Sequence, residues 1–147
     1  MLEKYFNDVY LKFKLNFYRG IFERLNERES SLSASEAFAV EVIFSLNKPT
    51  ISQFAEFVQI SLPNATYKVN ALIKKGYIEK INSETDKREY HLCTTQKFSD
   101  YYHISQNYLN TVMQRIRERF SNEENKQLEC MLQIISQELM PESKSTL

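Results

Sequence analysis

The chain begins with apolar residues at helical spacing. Between Leu2 and Arg28 they recur at steps of three and four, the repeat of one helix face. They are Phe6, Val9, Tyr10, Phe13, Phe17, Ile21 and Leu25. A helix of this length spans about 40 Å at 1.5 Å per residue. Its broad apolar face predicts a packing partner, from this chain or from a second copy.

Three shorter helical segments follow, each opened by a capping residue. Ser33, Thr50 and Ser61 precede these segments, and the first two have Glu or Gln three positions later, which is the capping-box pattern. Gly76 ends the third segment. The apolar positions of the first of the three segments are Phe38, Val42, Ile43 and Leu46.

The pattern then changes from helix to strand and back to helix. Residues 77–81 and 89–94 are rich in aromatic and branched side chains, and the polar residues 82–88 between them predict a hairpin. Helical spacing resumes from Phe98 to Phe120, and a capping box at Ser121 opens a last helix that Pro141 ends.

This order of elements predicts a mainly α fold of the α+β class, a winged helix-turn-helix with long terminal helices. Three short helices followed by a two-stranded hairpin are typical of that arrangement, and the third helix is its recognition helix. The predicted parts are an N-terminal dimerisation helix at 1–30, a winged helix-turn-helix DNA-binding domain at 32–97 with recognition helix 61–75 and wing 77–94, C-terminal dimerisation helices at 98–140, and a tail at 141–147.

The charge of the chain indicates a binding partner only when it is counted segment by segment. The 147 residues hold 19 Lys and Arg against 19 Asp and Glu, so the chain as a whole does not attract nucleic acid. Residues 48–97, however, hold eight basic residues against five acidic ones, while both flanking segments have an acidic excess. The basic excess therefore coincides with the predicted recognition helix and hairpin, where phosphate contacts are expected.

The sequence argues against several other classes of protein. The mixed charges of the first eight residues leave no signal-peptide core, and no apolar run approaches the length of a membrane span, so we expect a cytoplasmic protein without a membrane partner. No glycine-rich phosphate loop, carboxylate pair or nucleophile–base motif is present, which predicts a non-enzyme without a cofactor.

Two cysteines and two histidines give weak signals. His91 and Cys93 share one strand face, but His103 is the only other histidine, so we predict no metal site. Whether Cys93 is redox-active stays open, because a reactive thiol needs a cationic neighbour. Cys130, among apolar helix positions, is expected in the core.

The chain resembles the MarR family of bacterial transcription regulators. The resemblance rests on Thr50–Ala55, Ser61–Thr66, the Lys-Gly-Tyr-Ile step at 75–78 and Asp-Lys-Arg at 86–88, in that order. It implies a homodimer, formed by the terminal helices, that binds double-stranded DNA at a pseudo-palindromic operator, most simply as a repressor. Whether a small-molecule effector releases the protein from DNA stays open.

The resemblance also implies roles for individual residues. The recognition helix enters the major groove, Arg88 reaches a minor groove, and Asp86 shapes the wing. Two positions depart from the family pattern: Tyr67 stands where an arginine is frequent, and Phe98 stands where glycine is common. Without that arginine the bidentate guanine contact is in doubt. The predicted DNA-binding residues are Ser61, Leu62, Pro63, Asn64, Thr66, Tyr67, Lys68, Lys87 and Arg88.

Plainer interpretations remain for these residues. The helix positions could be an ordinary solvated face, and Lys87 and Arg88 could simply solvate a hairpin tip. A set of aromatic residues could line an effector pocket or could pack helices together; they are Phe13, Phe17, Tyr18, Tyr101, Tyr102 and Tyr108. Alternative functions are a winged-helix module that binds protein and a global regulator of the staphylococcal accessory type.

Overall fold

The computed structural model describes residues 1–26, 32–86 and 88–143, without the side chains of 101–105 and 143. The elements are helices α1 (Leu2–Leu25), α2 (Ala34–Ser45), α3 (Ile51–Val58) and α4 (Leu62–Lys74), strands β1 (Ile78–Asn82) and β2 (Tyr90–Thr94), helices α5 (Gln96–Arg119) and α6 (Asn122–Glu138), and a 3₁₀ turn (Pro141–Ser143). This order confirms the predicted mainly α winged helix with long terminal helices.

Side-chain caps fix the starts of the middle helices and of α6. The Ser33, Thr50 and Ser121 side chains each accept from the backbone N–H three residues later, and the Glu or Gln there accepts from the capping residue's N–H. Ser61 caps α4 in the same way, by accepting from the N–H of Asn64 at 3.3 Å. Local hydrogen bonding therefore places these helix starts where the sequence predicts them.

One apolar core joins α2, α3, α4, the hairpin and the start of α5. Its largest fully buried side chains include Phe54 of α3, Leu72 of α4, Leu92 of β2 and Phe98 of α5. The Phe98 ring lies 5.6 Å from the ring of Phe44. Phe98 thus attaches α5 to the core at the position where the resemblance leads one to expect glycine.

The two strands form an antiparallel hairpin, paired from Ile78 opposite Thr94 to Asn82 opposite Tyr90. The segment before α3 joins its edge, because the N–H of Leu92 donates to the Pro49 carbonyl at 2.8 Å and Thr50 forms a bridge with His91. The hairpin is therefore attached to α3 as well as to α4.

The terminal helices pack against each other only in part. The ring centroids of Phe13 in α1 and Tyr108 in α5 lie 5.6 Å apart, and Arg24 Nη2 donates to the Asp100 carbonyl at 3.3 Å. Much apolar surface of these helices stays exposed, including Leu2, Tyr5, Phe6, Val9 and Tyr10 of α1, Met131, Leu132 and Ile134 of α6, and Leu139 directly after α6.

Two residues lie outside the core although the sequence pattern suggests otherwise. Cys130 is exposed on α6, so its expected place in the core was wrong. Phe38 is 45% exposed, because α2 turns Ala37, Val40 and Ile43 inward instead. Among the described residues, no helix combines the length and apolar character needed to cross a bilayer.

Candidate nucleic-acid interface

Helix α4 has a buried face and an exposed face of different chemistry. Ala65, Val69 and Leu72 are fully buried and hold the helix in the core. On the opposite side, at steps of four, three and four, Pro63, Tyr67, Asn70 and Lys74 form a row of exposed residues, which we call the outward row. Tyr67 is 78% exposed and lies near the middle of this row.

Two members of the outward row, Asn70 and Lys74, are absent from the sequence-based residue set, and Asn70 is the one that can read a base. It is exposed, and it lies three residues after Tyr67 and four before Lys74, so helical spacing alone places it in the row. An asparagine side chain offers both a donor and an acceptor, the pair that matches the major-groove edge of adenine. The spacing was therefore a usable signal for this residue.

The first turn of α4 carries the remaining predicted residues of the helix. Leu62 and Asn64 are exposed, and the Ser61 hydroxyl is engaged as the cap. Thr66 is partly buried, and its Oγ1 donates to the Leu62 carbonyl at 2.9 Å. The Thr66 hydroxyl therefore keeps only its acceptor capacity for another partner.

Lys68 of α4 and Lys75, the C-cap of that helix, turn towards α2 instead of joining the outward row. Lys68 Nζ lies 3.1 Å from the Ser35 hydroxyl, and Lys75 Nζ lies 2.8 Å from Glu36 Oε2. Partial burial raises the pKa of Glu36, but the hydrogen bonds from Lys75 and Ser33, with the charge of Lys75, hold it below its ordinary value. These contacts join α4 to the start of α2, which fixes the direction of α4.

The tip of the hairpin is held by short-range hydrogen bonds. Asp86 Oδ1 accepts from the Arg88 backbone N–H at 2.9 Å, and the Asp86 carbonyl accepts from the Glu89 N–H at 3.0 Å. Ser83 Oγ accepts from the N–H groups of Thr85 and Asp86. The arrangement leaves the Arg88 side chain exposed, while the prediction for Lys87 lies outside the described residues.

The base of the wing is attached to the end of α4. Gly76 adopts a φ of 82°, and its carbonyl accepts from Thr95 Oγ1 at 2.6 Å. Lys97 Nζ donates to the Lys75 carbonyl at 2.8 Å and lies 4.5 Å from the centre of the Tyr77 ring. The end of α4, the hairpin and the start of α5 therefore share one junction.

Four of the six predicted effector-pocket residues have described side chains, and they pack on other rings. Besides the Phe13–Tyr108 contact, the Phe17 ring lies 6.0 Å from Tyr18 and 6.5 Å from Phe38. The side chains of Tyr101 and Tyr102 lie outside the description. The effector pocket stays a prediction.

The environment of Cys93 does not favour a reactive thiol. Its pKa is raised, first by burial and then by the charge of Glu79, against a lowering by the charge of Lys48. His91 Nδ1 lies 2.8 Å from the Lys48 carbonyl, so this ring nitrogen bonds to the backbone. Within the described ranges, no three His, Cys, Asp or Glu residues are arranged to hold a metal ion.

A protein-family model matches part of this chain. The model of the MarR family matches residues 32–90, which include α2, α3, α4, β1 and the hairpin tip. No curated protein matches the sequence.

Solved structures extend the likeness over nearly the whole chain. FabT of Streptococcus pneumoniae, solved in complex with DNA, is 25% identical, with 94% of each chain covered and a TM-score of 0.56. A mutant of MepR from a multidrug-resistant S. aureus clinical isolate is 14% identical, with 95% of this chain and 98% of that one covered and a TM-score of 0.61. The transcriptional regulator Tm0710 from Thermotoga maritima is 15% identical, with 92% and 91% covered and a TM-score of 0.56. The last two show the fold alone.

Proposed function

We propose that this chain is a homodimeric, sequence-specific DNA-binding regulator. The match of the MarR-family model to residues 32–90 and the likeness to FabT support this proposal. In the simplest form it is a cytoplasmic repressor at a pseudo-palindromic operator. The proposal includes neither an enzymatic reaction nor a cofactor.

The observation that carries this proposal is the outward row of α4. Its side chains are exposed on a helix whose other face is fully buried, so the fold does not require them. The helix is capped at Ser61 and joined to α2 through Lys75 and Glu36, and such a rigid helix is what base recognition in a major groove requires. The DNA complex of FabT, 25% identical, supports the same partner here.

The chemistry of the α4 surface suggests how a sequence is read. Asn64 and Tyr67 can hydrogen-bond to base edges, and Leu62 and Pro63 suit contact with thymine methyl groups. Tyr67 offers one hydroxyl and a flat ring where an arginine would offer a bidentate fork, so we expect guanine to be specified less strongly at that position.

Positive side chains of α4 and of the hairpin tip supply the DNA contacts that do not depend on base sequence. Arg88 at the hairpin tip and Lys74 in the outward row are exposed, and we assign them to phosphate or minor-groove contacts together with Lys87. In the free chain Lys68 Nζ lies 3.1 Å from the Ser35 hydroxyl. Lys68 can contact phosphate only if its ammonium leaves Ser35.

The homodimer is supported by the exposed apolar surface of the terminal helices. Contiguous exposed apolar patches of this kind mark interaction sites in proteins. A second copy would cover the same faces of α1 and α6 in a two-fold arrangement and would present two copies of α4 to one DNA duplex. An effector bound among Phe13, Phe17 and Tyr108 would lie between α1 and α5, close to Phe38 of α2.

The experiment that tests the proposal is a titration of labelled DNA from the gene's own upstream region at several salt concentrations. We expect Arg88→Ala to weaken binding about five- to tenfold on every sequence and to reduce the slope of log affinity against log salt by about 1. Asn64→Ala is expected to change base preference instead, by about 1–3 kcal/mol at one position.

Arg115→Ala, which removes an exposed arginine from α5, is the matched control and should bind like the parent. Absence of any salt-dependent DNA binding would overturn the proposal. It would favour the rival interpretation, a winged-helix module that binds protein.

A further inference from the structure

The polar side chains of α4 differ in whether the rest of the chain engages them. Thr66 Oγ1 and Lys68 Nζ both have hydrogen-bond partners inside the chain, at 2.9 and 3.1 Å. Within the described residues, the side chains of Asn64, Tyr67 and Asn70 have no such partner, and all three are exposed. These three therefore hold the hydrogen-bonding capacity that the first three turns of α4 can offer to a ligand.

Helix α4 has no side chain of the kinds that specify G·C pairs most strongly. Its 13 residues include no arginine, which reads guanine, and no aspartate or glutamate, which accepts from cytosine N4. Of its two lysines, Lys68 is engaged by the Ser35 hydroxyl, and Lys74 is the last residue of the helix, away from the N-terminal turns that contact bases. The exposed Leu62 and Pro63 suit thymine methyl groups, so the surface of α4 suits A·T pairs.

Asn70 lies on the part of α4 that can face the floor of a groove. The helix buries Val69 and Leu72 on its other side, and Asn70 follows Tyr67 in the outward row after three residues. Three residues correspond to a rise of about 4.5 Å along a helix, and successive base pairs are about 3.4 Å apart. Tyr67 and Asn70 are therefore spaced to reach neighbouring base pairs.

We propose that α4 reads an A·T-rich half-site and that Asn70 specifies one adenine in it. Asn70 Nδ2 donates to adenine N7, and Asn70 Oδ1 accepts from the amino group at adenine N6. The Tyr67 hydroxyl adds one hydrogen bond at a neighbouring pair. This inference rests on the proposed function and deepens it, because it names the class of DNA that the same helix selects.

The first test is selection of sites by the full-length protein from a library of random double-stranded DNA. We expect A·T pairs over the roughly four base pairs that the first three turns of α4 can span. Salt-dependent binding to half-sites rich in G·C pairs would overturn this inference and leave the proposed function standing. Absence of any DNA binding would overturn both.

A modified base tests the Asn70 contact itself. The analogue 7-deazaadenine still pairs with thymine but has no N7 acceptor, and it replaces each selected adenine in turn, in both half-sites. At one position the parent should bind about fivefold more weakly per half-site, whereas Asn70→Ala should bind natural and modified DNA equally. Asn110→Ala, the same change at an exposed position of α5, is the control and should discriminate like the parent. Equal discrimination by Asn70→Ala and the parent would overturn the proposal.

A second variant supplies the guanine-reading group that α4 lacks. Tyr67→Arg should raise the affinity for sites with guanine at one position next to the adenine read by Asn70, about tenfold relative to the parent. Asn110→Arg adds the same charge on α5 and should leave base preference unchanged. An equal gain for Tyr67→Arg on every sequence would show that the outward row faces phosphate, which overturns its assignment to base edges.

Discussion

The middle of this chain buries its apolar residues within one copy, whereas the ends leave many of theirs exposed. In the middle, Ala37, Val40, Phe54, Leu72 and Leu92 are all fully buried within one copy. At the ends, α6 has no buried residue, and α1 buries only Gly20 and Ile21. The winged helix thus has a core of its own, whereas much of the apolar surface of α1 and α6 is exposed in the single chain.

This contrast shows that an apolar pattern predicts burial but does not name the partner. Phe6 and Phe54 both occupy apolar positions of predicted helices, yet Phe6 is 57% exposed and Phe54 is fully buried. The difference lies in what each helix packs against, which helical spacing does not contain. Mutations in the two regions should therefore affect different equilibria.

The largest expected effect is on a core phenylalanine. Phe54→Ala should lower the free energy of unfolding by about 3–5 kcal/mol, because it leaves a cavity in a closed core. Phe6→Ala, the matched change in α1, should instead raise the dissociation constant of the proposed homodimer about tenfold. Urea denaturation and sedimentation at several protein concentrations measure the two effects. Equal stability losses at all concentrations would contradict the distinction.

A buried carboxylate in the winged helix gives the next effect. Glu41 of α2 is only 7% exposed, and burial raises its pKa from 4.5 to about 7. The folded chain therefore keeps this proton to a higher pH than the unfolded chain. Stability should fall as pH rises from about 4.5 to about 7, by up to about 3 kcal/mol.

Glu41→Gln tests this directly, because the amide carries no charge at any pH. We expect it to match the parent near pH 4 and to be more stable at pH 8, as measured by urea denaturation. Glu56→Gln, at an exposed position of α3, is the control and should follow the parent curve. Parallel curves for the parent and Glu41→Gln would refute the role of Glu41.

The smallest effect concerns the turn between α4 and the wing. Gly76 has a φ of +82°, and an added Cβ would lie 3.7 Å from Lys97 Cδ, an ordinary contact. Gly76→Ala should therefore lower stability by about 1 kcal/mol through backbone strain alone. Gly76→Asn should lower it less, since asparagine tolerates this conformation. A larger loss for asparagine in urea denaturation would argue against backbone strain as the cause.

Much of the fold could be predicted because its signals are local. The capping boxes at Ser33, Thr50 and Ser121 use residues three positions apart, and all three form as the sequence indicates. The hairpin follows from two strand-prone segments around a polar loop, and the structure pairs Ile78–Asn82 with Tyr90–Thr94. Such features need no knowledge of the rest of the chain.

The direction of side chains at the candidate interface could be predicted only in part. Lys68 and Lys75 lie beside the outward row in sequence, but Ser35 and Glu36 of α2 draw them away from it. Asn70 could have been placed by spacing, whereas the burial of Glu41 could not. A carboxylate in a helix is polar by composition, and only the packing of α2 shows that it is buried.

Thr95 and Lys97 bond the start of α5 to the end of α4, so a rotation of α5 at this junction would be largest at its far end. The helix of 24 residues extends about 36 Å from that junction, and its first turn is bonded to the carbonyls of Gly76 and Lys75 at the end of α4. A rotation of about 5° at the junction would displace its far end by about 3 Å over this length. Conversely, a small displacement where α5 meets α6 would tilt α4, so the angle of α4 would respond to a contact about 36 Å away along α5.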